Sequence, residues 1–346
     1  MMLTRPRRPD YDTKRAFLVR AAARAARARP TVVETHSAVV VMAGPHAWKM
    51  KKPVRLPFAD LTTATARAHL CREELRLNRE LAGPDVYLGL TAITQADDGT
   101  LALDGEGLVV EALVLMRRLD ARRMLAARLD AGPAPTLDEV EALADRLVAF
   151  YRRAVRPPAA AAHYLDRWSH TGRVNSAHLA AMQPWLGPAF SPAFVRHAPG
   201  LVTRCRAEIV ARAGAGLIVE GHGDLRPEHI CLENPPVVFD RLEFDPDLRL
   251  ADPFEECAYL GIECARFGAG WIGMALMERL ASAGMAPPSR TLMCAYGVNR
   301  LLTRARLAID HLRDTAPRAP ARWPREARRY LLLARSIAQG AGVSGW

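Results

Sequence analysis

The chain has 346 residues, of which half are hydrophobic and a quarter are charged, and this balance excludes an intrinsically disordered protein. No apolar run approaches the roughly 18 residues of a membrane-spanning helix, and the Arg- and Ala-rich N-terminus lacks the apolar region of a signal peptide. The formal net charge of +11 comes from Arg and Lys spread along the whole chain without interleaved aromatic residues, which argues against a nucleic-acid-binding protein.

The length and the order of the predicted elements indicate an α+β fold with two lobes and a cleft between them. We expect an N-terminal helical extension in residues 1–30 and a small β-rich N-terminal lobe in residues 31–118. Residues 119–346 are expected to form a larger, mostly helical C-terminal lobe. The absence of apolar segments predicts a cytoplasmic protein without membrane contacts.

The first third of the chain alternates between strands and single helices. The patterns predict a helix over residues 13–29, strands over 31–43 and 46–54, a helix over 62–81, and strands over 87–94, 101–103 and 108–116. The Gly44-Pro45 pair is typical of the turn between two strands.

The residues after Leu119 are mainly helical. Thr136 and Glu139 form a capping-box pattern that opens a helix, and Pro157-Pro158 ends this region. Helical patterns return over residues 202–213, 253–267, 272–283, 291–312 and 325–339. A β-rich insert is predicted between residues 217 and 244, and it contains the most unusual residues of the chain.

The insert contains a polar segment, Gly-His-Gly-Asp-Leu-Arg-Pro-Glu-His-Ile-Cys-Leu, at residues 221–232, followed by a short apolar run that ends at Asp240. Turn residues and polar groups between apolar runs are typical of a catalytic loop on a rigid scaffold. Asp224 and Asp240 lie on either side of a predicted hairpin, so we expect the two carboxylates to converge on one site.

This segment resembles the catalytic loop of protein kinases, His-Arg-Asp-Leu-Lys-Pro-Glu-Asn, and more closely the His-Gly-Asp loop of aminoglycoside and choline kinases. The chain is similar over nearly its whole length to bacterial proteins of the aminoglycoside phosphotransferase-like family. The resemblance implies a two-lobed protein-kinase-like fold. It also implies transfer of the γ-phosphoryl group of ATP, with GTP as an alternative, to a hydroxyl of a small molecule, with Mg²⁺ or Mn²⁺ as the metal.

The same resemblance assigns roles to individual residues. Asp224 is similar to the catalytic aspartate that orients the acceptor hydroxyl and takes its proton, and Arg226 to the cation that steadies the γ-phosphate. Asp240 is similar to the metal-binding aspartate of these kinases. The backbone from Met116 to Arg118 matches the inter-lobe hinge that would hydrogen-bond to adenine.

One position departs from the kinase pattern, because His229 stands where kinases carry a metal-binding Asn. An imidazole suits manganese or zinc better than magnesium, which prefers oxygen ligands. Three interpretations stay open at this point. His229 binds a metal, or it hydrogen-bonds near the phosphates, or the site has lost its activity and the chain is a nucleotide-binding regulatory protein of the same fold.

The N-terminal lobe offers two lysines for the nucleotide phosphates. Lys49 and Lys51 share one face of a strand by its period of two. We favour Lys51 as the phosphate contact, with Lys49 close behind, and a solvated basic strand end is the alternative for each. In kinases such a lysine pairs with a glutamate of the next helix. Glu74 is preferred over Glu73 because leucines flank it on the predicted inward face of that helix.

An acidic run follows Asp240, and it is unusual in a basic protein. One interpretation is attraction of a cationic acceptor. The other is that these residues cap the helix that begins near Pro253 and pair with Arg241 and Arg249. The run comprises Glu243, Asp245, Asp247, Asp252, Glu255 and Glu256. Neither the acceptor nor the oligomeric state can be assigned from these residues.

Overall fold

The computed structural model describes residues 8–56, 59–158, 160–313 and 319–340. The chain forms two compact units, one of Met1–Arg128 with Glu228–Pro246 and the other of Leu129–Pro227 with Asp247–Trp346. The segment Glu228–Pro246, which the sequence analysis grouped with the C-terminal lobe, therefore packs within the first unit. The predicted α+β class is confirmed, with a small β-rich N-terminal part and a larger, mostly helical part.

The elements are numbered in chain order. The strands are β1 (Thr31–Glu34), β2 (Ala38–Ala43), β3 (His46–Lys51), β4 (Arg55–Leu56), β5 (Ala59–Asp60), β6 (Tyr87–Gln95), β7 (Leu101–Leu103), β8 (Leu108–Arg117), β9 (Val219–Glu220), β10 (Ile230–Cys231), β11 (Val237–Val238) and β12 (Leu250–Ala251). The helices are α1 (Tyr11–Ala26), α2 (Ala64–Leu81), α3 (Leu125–Asp130), α4 (Leu137–Arg153), α5 (Ala160–Ala181), α6 (Gln183–Leu186), α7 (Pro192–His197), α8 (Pro199–Arg204), α9 (Arg206–Gly214), α10 (Pro246–Arg249), α11 (Pro253–Ala265), α12 (Trp271–Ser282), α13 (Arg290–Asp310) and α14 (Arg322–Gly340).

The first unit is built on an antiparallel sheet with the order β1-β2-β3-β8-β6-β7. The single strand predicted over residues 31–43 is two strands, because Thr35 closes a turn in which its side chain accepts a hydrogen bond from the Ala38 N–H at 3.0 Å. The β2–β3 turn is a two-residue turn, and Gly44 adopts a φ of 54° that favours glycine.

The two faces of this sheet carry different helices. Trp48 and Met50 of β3 pack in a hydrophobic cluster with Leu18 of α1. Lys49 and Lys51 point to the opposite face, as the period of two requires, and there they meet α2. The strand pattern therefore buries two lysines under a helix.

The second unit is helical, and its core is formed mainly by α5, α8, α13 and α14. The predicted capping box is confirmed, since Thr136 and Glu139 make both reciprocal hydrogen bonds at the start of α4. Two expectations were wrong. The helix α5 was not predicted, and the helix expected over residues 202–213 is divided into α8 and α9 at Cys205.

The predicted β-rich insert over residues 217–244 has only two-residue strands within it, β9, β10 and β11, and the polar segment between them is a loop. Strands β10 and β11 pair with each other and so form the predicted hairpin before Asp240. Within the described ranges, none of the helices is both long enough and apolar enough to cross a bilayer.

Candidate active site

The loop that contains Asp224 is held by hydrogen bonds to a buried carboxylate. Glu256 of α11 accepts hydrogen bonds from the backbone N–H of His222 at 2.9 Å and of Gly223 at 2.5 Å. The Tyr151 hydroxyl donates to the same carboxylate at 3.0 Å. Such hydrogen bonds to an ionised acceptor are stronger than neutral ones. Glu256 therefore fixes the course of the backbone immediately before Asp224.

The loop glycines are required by this anchor. A Cβ atom at Gly221 would lie 2.5 Å from Glu256 Oε2, so a larger residue would displace the carboxylate. Gly223 adopts a φ of 91°, which residues other than glycine rarely adopt. Burial raises the pKa of Glu256, and the hydrogen bonds from the two loop N–H groups act in the opposite direction.

A second group holds the loop from α13. Arg300 donates to the carbonyl oxygen of Gly223 at 3.1 Å and to Glu255 Oε1 at 2.7 Å. Glu255 is buried, and it also accepts a hydrogen bond from the Tyr164 hydroxyl at 2.5 Å. The loop is thus fixed at both its N–H and its carbonyl groups by neighbouring charged residues of α11 and α13.

Asp224 and Arg226 both belong to the second unit. Arg226 Nη1 lies 3.8 Å from Asp224 Oδ2, and both side chains are partly accessible to solvent. The backbone N–H of Asp224 donates to His222 Nδ1 at 3.3 Å. The loop therefore presents a carboxylate with a guanidinium beside it.

In the first unit, Glu74 of α2 lies between the two lysines of β3. Lys49 Nζ is 2.7 Å from Glu74 Oε1, and Lys51 Nζ is 2.7 Å from Glu74 Oε2. Glu73 instead pairs with Arg76 on the surface of the helix. Burial disfavours the charge of Glu74, but Lys49 and Lys51 outweigh it and lower the pKa of this carboxyl.

The two lysines differ in their second partner. Lys49 Nζ lies 2.7 Å from Asp240 Oδ1, whereas Lys51 forms a short ion pair with Glu243. The side chain of Lys49 is 12% exposed and that of Lys51 is 1% exposed. The structure thus brings Lys49, rather than the favoured Lys51, to Asp240 and leaves it the more accessible of the two.

The charges of this cluster do not balance when all groups are ionised, because two ammonium groups face the three carboxylates of Glu74, Asp240 and Glu243. Burial and the neighbouring carboxylates raise the pKa of Glu243 despite its contact with Lys51. Burial also opposes the charge of Asp240, but Lys49 and His229 hold its pKa well below the usual range. The pKa shifts therefore favour the ionised form of Asp240 and Glu74 and the neutral form of Glu243.

The backbone around Asp240 is held in an unusual conformation. Asp240 follows β11 and has a φ of 62°, which Asp tolerates better than most residues. Its N–H donates to the Tyr87 hydroxyl at 3.3 Å, and the next N–H, that of Arg241, donates to Asn78 Oδ1 at 2.9 Å. Asn78 and Glu74 are one turn apart on α2, so one helix face positions the lysines and the Asp240 segment.

His229 is adjacent to Asp240 within the first unit. The His229 Nε2 atom lies 3.5 Å from Asp240 Oδ2, and the ring packs edge-on against Phe239. No group of three or more potential metal ligands occurs among the described residues. A carboxylate oxygen and a ring nitrogen nevertheless suit a divalent cation that takes its remaining ligands from water and substrate phosphates.

The segment predicted to contact adenine is part of the sheet. Met116 pairs with Ala47 on one side and with Tyr87 on the other. The N–H of Arg118 donates to the carbonyl oxygen of Pro45 at 2.7 Å, and the N–H of Arg117 donates to Val86. These two N–H groups are therefore already used within the protein. Adenine would have to hydrogen-bond to backbone carbonyl oxygens of this segment or to residues after Arg118.

The acidic run after Asp240 is largely occupied by protein groups. Asp252 caps α11 by accepting from the Phe254 N–H, and it also binds Arg212. The helix-cap interpretation is therefore confirmed for Asp252, and Arg241 pairs with Glu80 and Arg249 with Glu220. Sequence reasoning missed the roles of Glu243 and Glu256. The available signal for Glu256 was a carboxylate within a strongly apolar helix.

No protein-family model matches the chain. Uncharacterised proteins of Mycobacterium tuberculosis and Mycobacterium bovis are each 31% identical to it over 323 residues. These matches cover 90% of this chain but 60% of each relative, so the chain spans less than two thirds of the relatives' length.

The chain also aligns with solved structures at low sequence identity. Spectinomycin phosphotransferase APH(9)-Ia, in complex with ADP and spectinomycin, has a TM-score of 0.49 at 10% identity, with 90% of this chain and 93% of that chain covered. Choline kinase LicA from Streptococcus pneumoniae has a TM-score of 0.48 at 11% identity, with 92% and 98% covered. The Plasmodium vivax ethanolamine kinase has a TM-score of 0.46 at 8% identity, with 89% and 84% covered.

Proposed function

We propose that the chain is an ATP-dependent phosphotransferase that transfers the γ-phosphoryl group to a hydroxyl of a small molecule. The observation that carries the proposal is the contact of Lys49 with both Glu74 and Asp240. A lysine held between a helix carboxylate and a second, metal-binding carboxylate is the arrangement that positions nucleotide phosphates in kinases. Here Lys49, which the sequence pattern ranked behind Lys51, contacts both carboxylates.

Each residue of the proposed site has a defined task. Lys49 contacts the nucleotide phosphates, and Glu74 positions Lys49. Asp224 orients the acceptor hydroxyl and takes its proton, while Arg226 stabilises charge on the transferring group. The acceptor oxygen forms a bond to the γ-phosphorus as the bond from that phosphorus to the β-phosphate oxygen breaks, and ADP leaves. Lys51 serves as the buried partner of Glu243 and does not contact phosphate.

Asp240 and His229 are the residues that would hold a divalent cation, Mg²⁺ or Mn²⁺. Asp240 is ionised, and Mg²⁺ in such sites commonly uses one or two carboxylates together with substrate phosphates and water. The nitrogen of His229 would favour Mn²⁺ over Mg²⁺. A bound cation supplies positive charge at the phosphate oxygens, and Lys49 and Arg226 add to it from the protein.

A second candidate is a nucleotide-binding regulatory protein without turnover. Two observations favour it: His229 occupies the position of a metal-binding Asn, and the β2–β3 turn has only two residues with which to cover phosphates. The two candidates share nucleotide binding and differ in phosphoryl transfer. The backbone near Met116 and Arg118 stays the proposed adenine contact in both.

The test is nucleotide consumption by the full chain with ATP or GTP and with Mg²⁺ or Mn²⁺, against a panel of amino alcohols, aminoglycosides, sugars and their phosphates. Asp224→Asn should abolish turnover and leave nucleotide affinity nearly unchanged. Asp97→Asn, the same chemical change in an exposed hairpin turn, should leave both unchanged. Nucleotide binding without turnover under every condition would support the regulatory candidate.

A further inference from the structure

Helices α11 and α13 of the second unit face each other with alternating charged and aromatic side chains. Residues four apart lie on one face of a helix, so each helix presents a single row of side chains to the other. The rows consist of Glu255, Tyr259 and Glu263 on α11 and of Arg300 and Arg304 on α13.

The contacts within these rows are unequal. Arg300 is fully engaged, because it donates to Glu255 and to the Gly223 carbonyl and lies over the Tyr259 ring at 5.4 Å. Arg304 Nε is 3.9 Å from Glu263 Oε1, which is beyond hydrogen-bond distance. Both of these atoms are buried without a hydrogen-bond partner among the described residues. The Nε atom of Arg304 is therefore without a hydrogen bond in the part of the chain that the structure describes, although the guanidinium lies over the Tyr330 ring at 5.7 Å and within ion-pair distance of Glu263.

The carboxylates of the α11 row are buried, whereas the guanidinium groups of the α13 row are partly exposed. The side chains of Glu255 and Glu263 are 0% and 2% exposed, whereas those of Arg300 and Arg304 are 17% and 21% exposed. Arg266 also pairs with Glu263, at 2.6 Å. Within these two rows, the more exposed charges are therefore the positive ones.

These side chains lie near the proposed catalytic carboxylate. Burial opposes the charge of Arg304, but Tyr259, Tyr330 and Asp224 together raise its pKa. The Tyr259 hydroxyl is buried and makes no hydrogen bond within the described part of the chain. Arg300 binds the carbonyl of Gly223, which precedes Asp224, and lies over the Tyr259 ring, and Arg304 follows Arg300 by one helical turn. A guanidinium and a hydroxyl without a hydrogen-bond partner among the described ranges thus lie on the helix faces next to the loop that contains Asp224.

Three buried carboxylates at the start of α11 are already bound by protein groups. Glu256 binds the loop N–H groups, Glu255 binds Arg300 and the Tyr164 hydroxyl, and Asp252 binds Arg212. A cationic compound bound here would have to displace one of these buried partners. An anionic compound would instead satisfy Arg304.

We propose that the acceptor is an anionic hydroxyl compound whose phosphate or carboxylate group is bound by Arg304, with the Tyr259 hydroxyl as a further donor. This inference rests on the proposed function, because it names the class of compound that Asp224 would activate. A guanidinium offers paired donors to either oxyanion, so the phosphate and the carboxylate share one recognition chemistry.

The test is calorimetric binding of matched pairs to the full chain with saturating ADP and Mg²⁺ present. The anionic members are glycerol 3-phosphate, glycerate, ribose 5-phosphate and glucose 6-phosphate, and glycerol, ribose, glucose and choline are the neutral and cationic comparisons. We expect at least one anionic member to bind more tightly than its parent alcohol. Binding of only the phosphate compounds, or of only glycerate, would identify which oxyanion the site binds.

Arg304→Gln should weaken that binding by at least roughly tenfold, the effect of losing one hydrogen bond to a charged group. Arg304→Lys should recover part of the affinity, and Arg313→Gln, which removes an exposed arginine just after the same helix, should have no effect. Thermal unfolding of each variant shows whether its fold is retained.

Several outcomes would overturn the inference. They are preferential binding of choline or of the parent alcohols, full affinity in Arg304→Gln, and no binding of any anionic member at millimolar concentration. Anion binding through Arg304 without ATP consumption would refute the proposed function and leave the anion site in place. ATP consumption with a cationic acceptor would support the proposed function and refute the anion site.

Discussion

Replacing Glu256 with Gln tests how the loop around Asp224 is positioned. The Glu256 carboxylate accepts one hydrogen bond at each oxygen from a loop N–H, and one oxygen also accepts from the Tyr151 hydroxyl. A glutamine keeps the shape but turns one of these acceptors into a donor. One loop N–H would then face another N–H in a buried site.

A buried N–H without a partner costs about 1–3 kcal/mol, and the lost charge weakens the remaining bond. Relief from burying a charge offsets part of this cost, since burial raises the pKa of Glu256. We expect a net loss of about 2 kcal/mol, which corresponds to roughly 30-fold faster hydrogen exchange at the affected amides.

The assay is hydrogen exchange of the His222 and Gly223 amides, followed by mass spectrometry or NMR, together with nucleotide turnover. Exchange should accelerate in Glu256→Gln, and turnover should fall more than nucleotide affinity. Glu141→Gln, the same change at an exposed position of α4, serves as the control. Unchanged exchange at both amides would refute the reasoning and would mean that the carboxyl is protonated and does not anchor the loop.

Three further predictions address the rest of the molecule. Lys51→Met should destabilise the first unit by about 3–5 kcal/mol in urea unfolding, because it leaves Glu243 without its buried cation. A loss below about 1 kcal/mol, the value of an exposed pair, would contradict the buried ion pair. Asp240 has a lowered pKa in the fold, so its contribution to stability is full above its unfolded pKa near 3.8 and is lost as the pH falls through the folded pKa. Acid unfolding of Asp240→Asn should therefore depend less on pH below about pH 4 than that of the wild type, and an identical dependence would refute the assignment. Gly261→Ala should destabilise the second unit by about 1–3 kcal/mol in thermal unfolding, because its Cβ would lie 2.5 Å from the Gly273 Cα on α12. A neutral effect would show that α11 and α12 are not in such close contact.

The first unit could be predicted from local patterns to a large extent. Turn chemistry at Gly44-Pro45 located the β2–β3 hairpin, and flanking leucines distinguished Glu74 from Glu73. Lys49 and Lys51 could not be ranked in the same way, because the period of two places both on one face. Only the contact of Lys49 with Asp240, 191 positions away, separates them.

The second unit was harder to predict for a related reason. The buried face of α5 includes Gly172 and Asn175 next to Trp168, so its apolar periodicity is weak even though packing buries it. Glu256 looked like one of several acidic residues at the start of a helix. Its role depends on the loop glycines at Gly221 and Gly223, which a local pattern does not connect to α11.

The most direct test of the central claim is transfer of label from γ-labelled ATP to a small-molecule hydroxyl, measured for the wild type and Asp224→Asn at matched nucleotide saturation. We expect a labelled product with the wild type and none with Asp224→Asn, at similar affinity for ATP. Equal transfer by both proteins, or ATP binding without transfer to any compound of the panel, would contradict it.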